Sequence, residues 1–267
     1  MQLTEENYYS KEANLEYMSE SLFKDFAGTY GRRGCEFCAL EKMEGRWREK
    51  PSDPMLIGSY VDAYVDGPEA FEHFQNGHPE MFRADGSLYS KYRVADTVIK
   101  RITRDAYFMA TLSGEKQKIV TGELFGRKWK GKLDSYLPHE AIVDLKVVRS
   151  INDTKWVPDL GHLDFIRYWG YDIQGAVYQE LVRQETGEKL PFFVAAVSKE
   201  EYPDIEVIRV QQPVLDEAMT KVWQYMPRIN SIINRETEPA RCEECNCCKN
   251  SKVLTRWTDI DQLLPAV

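Results

Sequence analysis

The stretch Gly131-Lys-Leu-Asp-Ser-Tyr-Leu-Pro-His-Glu-Ala-Ile-Val-Asp-Leu-Lys146 decides how this chain is read. It has the pattern of two short strands joined by a tight connection. Leu133 to Leu137 alternates, residues 137–140 (Leu-Pro-His-Glu) break the pattern, and Ala141 to Val148 runs apolar except at Asp144 and Lys146. Residues two apart in a strand share a face, so Asp144 and Lys146 point the same way. A carboxylate and an ammonium inside an apolar strand are costly unless they pair or engage a ligand. Asp134, on the neighbouring strand, is placed to meet them. Two acids beside a lysine make a site for a hard divalent cation with a cationic group at its edge. A plainer reading stays open: a half-buried Asp144–Lys146 ion pair, with Asp134 a surface acid near the turn.

At 267 residues, 43% hydrophobic and 29% charged, the chain suits one large domain or a domain with a small appendage. No apolar run approaches a membrane span, and Met1 to Asn7 lacks the regions of a secretory signal, so a cytoplasmic protein is expected. A net charge of −8 does not advertise nucleic-acid binding. One local basic strip, Arg127-Lys-Trp-Lys-Gly-Lys132, leads straight into Asp134. It is either a positive surface beside the site or a solvated hairpin face. Six cysteines sit in two groups, Cys35 and Cys38 near one end, Cys242, Cys245, Cys247 and Cys248 near the other. In a cytosolic chain such grouping favours a metal over disulfides.

Periodicity predicts helices over 16–27, 36–47, 55–65, 92–112, 164–185 and 213–235, the first capped by Ser19 or Ser21. Strands are predicted over 117–125, 127–137, from 141, and over 191–197 and 205–210. Residues 1–14 read as loosely ordered, 68–86 carry no clear pattern, and 152–160 read as a loop. The order of helices, three strands, helix, two strands and helix implies an α/β (α+β) fold, a mixed central sheet flanked by helices. The helix after the Asp144 strand carries Gln174 and Tyr178, four apart and so on one face. They either aim across the site or are ordinary polar groups on a helix surface.

Taken together, Asp134, Asp144-Leu145-Lys146 and Gln174-x-x-x-Tyr178 resemble the PD-(D/E)xK nuclease superfamily. The closer resemblance is to its RecB-type branch, which includes phage λ exonuclease and prophage exodeoxyribonuclease VIII. Ser19-x-Ser21-x4-Phe26, followed by a cysteine, is similar to the first helix of that branch. Gly58-Ser-Tyr-Val-Asp62 resembles the helix where the family usually places a histidine, and Thr121 to Asp134 resembles phage-encoded exonucleases of Gram-positive hosts. The resemblance covers about residues 19–250. It implies a restriction-endonuclease-like core in a single nuclease domain over 1–267. Within it fall a helical N-terminal segment (about 15–112), a catalytic core (about 113–238) and a cysteine cluster (242–248) closing onto Cys35.

The resemblance also implies chemistry. The chain is expected to be a Mg²⁺- or Mn²⁺-dependent exonuclease acting on linear double-stranded DNA ends in recombination. Asp62, Asp134, Asp144 and the Leu145 carbonyl would hold the metal, Lys146 would position water or offset charge, and Gln174 and Tyr178 would hold the substrate end. A single-strand annealing recombinase is the implied partner, and relatives close into rings of three or four subunits. Asp62 stands where the family has histidine; it is the harder donor for Mg²⁺ or Mn²⁺, or the mark of a derivative that binds DNA without cutting it. A single-strand-directed nuclease working with a helicase is the other alternative. Glu123 either orients the site or lies on the surface, and His73 and His78 read as surface residues.

Cys242-x2-Cys245-x2-Cys248 with Cys35 supplies four thiolates, which suit Zn²⁺ or a [4Fe–4S] cluster. Spacing does not separate the two. The resemblance favours iron–sulfur, because several RecB-type nucleases staple one N-terminal and three C-terminal cysteines around such a cluster. Cys35 directly follows a loop with glycines at 28, 31 and 34 and is preferred to Cys38. Cys247, adjacent to Cys248, would be strained in binding the same metal.

Overall fold

The strands read at 127–148 form the middle of a six-stranded sheet in the computed structural model, which describes residues 1–263. The chain begins with α1 (Lys11–Glu16), a short β1 (Tyr17–Ser19), α2 (Glu20–Ala27) and α3 (Glu36–Met43). Then come α4 (Asp53–Asp66), α5 (Pro68–Gly77), α6 (Val94–Ile102) and α7 (Ala106–Thr111). Three strands follow, β2 (Glu115–Leu124), β3 (Arg127–Leu137) and β4 (Ala141–Val148), and then a hairpin of β5 (Thr154–Val157) and β6 (Gly161–Asp164). After α8 (Phe165–Trp169) and α9 (Tyr171–Thr186) the chain adds β7 (Phe192–Ser198), β8 (Ile205–Val210), α10 (Gln212–Ile233) and α11 (Asn246–Asn250).

The sheet runs β1-β3-β4-β7-β8, with β2 antiparallel along the other edge of β3. β1 pairs with β3, and β4 with β7, in parallel; the other pairs are antiparallel, so the sheet is mixed as expected. The parallel step from β4 to β7 needs a crossover, and α8 and α9 supply it. Strand alternation divides the core into two layers. Leu133, Ile142, Val194 and Ala196 pack under α2, α9 and α10, while Val143, Leu145, Ala195 and Val197 pack under α4 and α6. Sheet faces covered on both sides by helices make the restriction-endonuclease-like sandwich. No helix among the described residues is long and apolar enough to cross a membrane.

Helix α9 lies against the sheet at Gly175, where a Cβ would come 2.3 Å from Cδ1 of the fully buried Phe192 ring. Gly175→Ala should therefore overpack this contact, with a net loss of about 1–2 kcal/mol after the better helix propensity of alanine is counted. A lower urea midpoint with an unchanged m-value is the expected readout.

Several local expectations change. Residues 1–14 are folded: Tyr8 is buried, and the Tyr17 hydroxyl donates to the Met1 carbonyl at 2.8 Å. The predicted helix from 16 starts late, because Tyr17–Ser19 instead pair with Lys128–Lys130, and Ser19, not Ser21, caps α2. The 92–112 helix breaks at residues 103–105, where Asp105 caps α7. The 164–185 helix breaks at Gly170, whose φ of 69° favours glycine. The patternless 68–86 contains α5, and the loop at 152–160 is half of the β5–β6 hairpin.

The basic strip is mostly structural. Trp129 is fully buried, Arg127 bonds Asn230 and Asn234, and Lys128 pairs with Glu16. Lys130 is only 2% exposed and donates to the Tyr8 carbonyl and Asn14 Oδ1; burial brings its pKa down to about 8. The folded N-terminal segment covers the strip, leaving Lys132 to face the cleft described next.

Candidate active site

The β3–β4 register sets Leu137 opposite Ala141, Tyr136 opposite Ile142 and Ser135 opposite Val143. One step further along, Asp134 and Asp144 come opposite each other, and there the ladder stops. Asp134 Oδ2 takes the Leu145 N–H at 2.9 Å in its place. Asp144 and Lys146 share a face, as strand periodicity requires, with Lys146 Nζ 2.5 Å from Asp144 Oδ2. Asp62 reaches the same cleft from α4, a cleft of about 1300 Å³ also lined by Lys132, Gln174 and Tyr178.

Helix α9 holds the acids from behind. Gln174 Nε2 donates to Asp144 Oδ1 at 2.6 Å and to the Tyr178 hydroxyl at 3.2 Å. Both side chains were expected to grip substrate; here the glutamine amide is engaged in orienting Asp144. Tyr178 fits because β3 has Gly131 beneath it, where a Cβ would lie 2.9 Å from the ring. Glu123 lies away from this group: its backbone bonds the Gln184 side chain.

Negative charge exceeds positive charge in this cleft. Burial pushes Asp144 up to about 7, with Lys146 opposing and Asp134 adding to the shift. Burial also raises Asp134, against Lys146 and the Leu145 N–H, and raises Asp62 well above the carboxylate range with help from Asp134. Burial works against the Lys146 ammonium, but Asp144 and Asp134 outweigh it and hold its pKa above the ordinary lysine value. Asp62 Oδ1 is buried without a hydrogen-bond partner among protein atoms, whereas the buried Asp144 Oδ2 has the Lys146 ammonium beside it. Three acids around one ammonium, with an orphaned oxygen on Asp62, are a donor set that a hard divalent cation satisfies.

Sequence reasoning missed other groups here. Glu20, at the start of α2, pairs with Lys24 at 2.5 Å, lines the cleft and adds to the burial that raises Tyr178. Tyr171 lies under Lys146, 4.9 Å from Nζ to the ring centroid. Asp66 adds a fourth carboxylate to the field at Asp62 and Asp134. A helical spacing of four from Asp62 to Asp66 was the available signal for that residue. Glu20 and Tyr171 carry none, since distant elements bring them in. His73 and His78 also line the cleft, His73 as an exposed surface residue and His78 half-buried.

Far from this cleft in sequence, Cys35, Cys242, Cys245 and Cys248 gather with all four sulfurs within 4.8 Å of one another. Cys35 lies 3.6 Å from Cys248 and 3.8 Å from Cys245, and Cys242 lies 4.0 Å from Cys248. Backbone N–H groups point at these sulfurs, from Cys38 to Cys35, Cys245 to Cys242 and Cys248 to Cys245. Burial pushes Cys35 up to about 12; at Cys242 the N–H groups of Glu244 and Cys245 overcome burial and bring it to about 7. A bound cation would favour the thiolate at all four, so this group can ligate a metal. Cys38 and Cys247, both buried, face each other beside it.

The mixed sheet between helical layers, with an acid facing an Asp-x-Lys strand and a glutamine behind it, defines a PD-(D/E)xK-like protein. The chain belongs to the family described as a PDDEXK-like domain of unknown function, DUF3799, whose model matches residues 19–251. It is also similar to the crystal structure of a candidate exonuclease from Eubacterium rectale. The two are 55% identical over the whole of both chains, with a TM-score of 0.96. A second solved structure, 15% identical, covers 82% of this chain and 85% of its own with a TM-score of 0.32, a likeness too slight to bear on the fold. No curated protein sequence matches.

Proposed function

We propose that the protein is a Mg²⁺- or Mn²⁺-dependent deoxyribonuclease that digests linear double-stranded DNA from its ends. The observation that carries this reading is the convergence of Asp62, Asp134 and Asp144 on the one ammonium of Lys146, with a buried Asp62 oxygen left unpartnered. Family membership and the similarity to a candidate exonuclease support nuclease activity in general. The RecB-type resemblance supports the finer reading: DNA ends as substrate, recombination as setting and a single-strand annealing recombinase as partner.

Asp62, Asp134, Asp144 and the Leu145 carbonyl would hold the ion, which supplies water activation and charge neutralisation at a phosphodiester. The protein's own share is positioning and electrostatics. Lys146 stays an ammonium and faces the charge that develops on phosphorus-bound oxygens during in-line displacement. Gln174 fixes the Asp144 carboxylate through Oδ1, leaving Oδ2 turned toward Lys146 and the cleft. Digestion of an end-labelled linear duplex with Mn²⁺, beside Asp144→Ala and a covalently closed circle, tests the reading. A wild-type protein that leaves linear ends intact would end it, and parallel single-stranded substrate tests the strand preference.

The orphaned Asp62 oxygen makes its own prediction. Asp62→Asn should raise the melting temperature of the metal-free protein by a few degrees, since it removes a buried charge of the wrong sign for its neighbours. It should also shrink the stabilisation that Mn²⁺ confers, as differential scanning fluorimetry reads both. A lower metal-free melting temperature would contradict the orphan-carboxylate account.

At the four cysteines the resemblance supports a [4Fe–4S] cluster as a staple joining the chain ends. Zinc is the second reading, favoured by one observation. A tetrahedral ion with about 2.3 Å bonds to sulfur sets sulfurs about 3.8 Å apart; three of the sulfur pairs here lie at 3.6, 3.8 and 4.0 Å, and all lie within 4.8 Å. Broad visible absorbance with stoichiometric iron and sulfide selects the cluster; a colourless protein with one zinc selects the ion.

A further inference from the structure

The loop between α2 and Cys35 builds a second concavity, away from the acids. This pocket of about 550 Å³ is lined by Tyr30, Arg32, Arg33, Trp156, Tyr168 and Arg241, among others. The loop is tightly made. Thr29 N–H donates to the Arg32 carbonyl and the Thr29 hydroxyl to the Tyr168 carbonyl. A Cβ at Gly28, Gly31 or Gly34 would lie 2.1–2.3 Å from its nearest neighbouring atom. That economy of space pushes Arg32 and Arg33 outward, where both are exposed. Neither ion-pairs with a carboxylate among the described residues; Arg32 instead sits 5.6 Å over the Trp169 ring. Glu36, the acid on the pocket wall among the described residues, is already engaged by Arg228 and the Ala240 N–H. Trp156 stands up from the β5–β6 hairpin at 66% exposure, with Trp169 at 39%.

We infer that this pocket binds single-stranded DNA, seating an unpaired base against Trp156 and backbone phosphates against Arg32 and Arg33. An exposed indole beside guanidinium groups that form no ion pair among the described residues is the chemistry of sequence-tolerant single-strand binding, since every base has a face to stack and every linkage a charge. Duplex DNA hides its base faces and cannot use the indole in this way. Position supports the assignment. Helix α2 begins in the acidic cleft, where Ser19, Glu20 and Ser21 line it, and ends at the pocket, which Phe26 and Ala27 line. Eight residues at 1.5 Å rise make that separation about 12 Å. Lys24 lies between, 5.9 Å from the ring of Tyr171, the residue under Lys146. The inference rests on the proposed nuclease reading for its purpose: the pocket would receive the unpaired strand at a DNA end while the cleft acts.

The test is fluorescence anisotropy of a labelled oligothymidylate with the full chain and no added divalent cation, so that no cleavage intervenes. Wild type should bind. Arg32→Ala/Arg33→Ala should weaken binding at least tenfold and flatten the plot of log affinity against log salt by about 1.4, two phosphates at about 0.7 each. Trp156→Ala should weaken it severalfold, and Trp156→Phe should restore most of the loss. The surface positions of these residues allow matched melting curves to confirm folding. An oligothymidylate that does not bind wild type, or binds the double variant equally well, overturns the inference. Nuclease assays run separately: a protein that binds oligothymidylate in this pattern but never cleaves sustains the pocket and removes the enzymatic reading.

Discussion

Asp144→Asn is expected to slow nucleotide release from a linear duplex by at least about 10³-fold and to abolish the thermal stabilisation that Mn²⁺ gives the wild-type protein. The change keeps the shape of the side chain, which is only 1% exposed, and removes its charge. Hydrogen bonding survives by rotation of two amides. The asparagine oxygen can face Lys146, its NH₂ can face Gln174, and the Gln174 amide can turn over to accept where it now donates at 2.6 Å. The fold should therefore persist, as circular dichroism would register. What goes is one of three carboxylates in a site whose affinity for a hard cation depends on their number. Lys146 would then have Asp134 as its main counter-charge. Full digestion by this variant, or an undiminished response to Mn²⁺, would place the ion elsewhere.

The sequence alone disclosed this acid–lysine pair because strand periodicity is exact about faces. A period of two puts 144 and 146 together whatever surrounds them, and the apolar run from 141 to 148 marks a strand buried on both sides. The same logic placed β3 and β8 within their observed bounds. Less could be read where the decisive partner is remote. Tyr17–Ser19 is a strand only because β3 offers it a parallel edge more than a hundred residues away. The lysines of the basic strip have the right spacing for a DNA-facing surface, yet a folded N-terminal segment with Tyr8 and Asn14 covers Lys130. Composition does not foretell which segment will cover a face. Gln174 was placed on the correct face of its helix, but its engagement with Asp144 depends on a helix–sheet distance that Gly175 sets. The exposed β5–β6 hairpin has only four residues on each side and no strong alternation to announce it.

Loss of metal from the four-cysteine site, by Cys248→Ser or by chelation, is expected to lower the melting temperature by on the order of 10 °C. The estimate starts from chain entropy. A link between Cys35 and Cys248 spans 213 positions, and closing a loop of that size restricts the unfolded chain by about 5 kcal/mol. Little else holds the C-terminal segment in place. Helix α11 has five residues, too few to persist alone, and the apolar contacts beneath the cluster come to Phe37, Trp47 and the cysteines themselves. The Phe37–Ala240 and Ala240–Glu36 hydrogen bonds remain, but they tie down only the start of the segment. Without metal, Cys35 and Cys245, whose thiols burial raises, must also sit neutral against backbone N–H donors suited to thiolates. The sheet layers do not touch the cluster, so the loss should be local first: rapid amide exchange and protease cleavage around 236–250 and the Gly28–Gly34 loop, before the strands open. Cys38→Ser and Cys247→Ser remove only the neighbouring thiol pair and should shift melting far less. Equal shifts for Cys38→Ser and Cys248→Ser, with unchanged metal content in both, would show that the four sulfurs hold no structural metal.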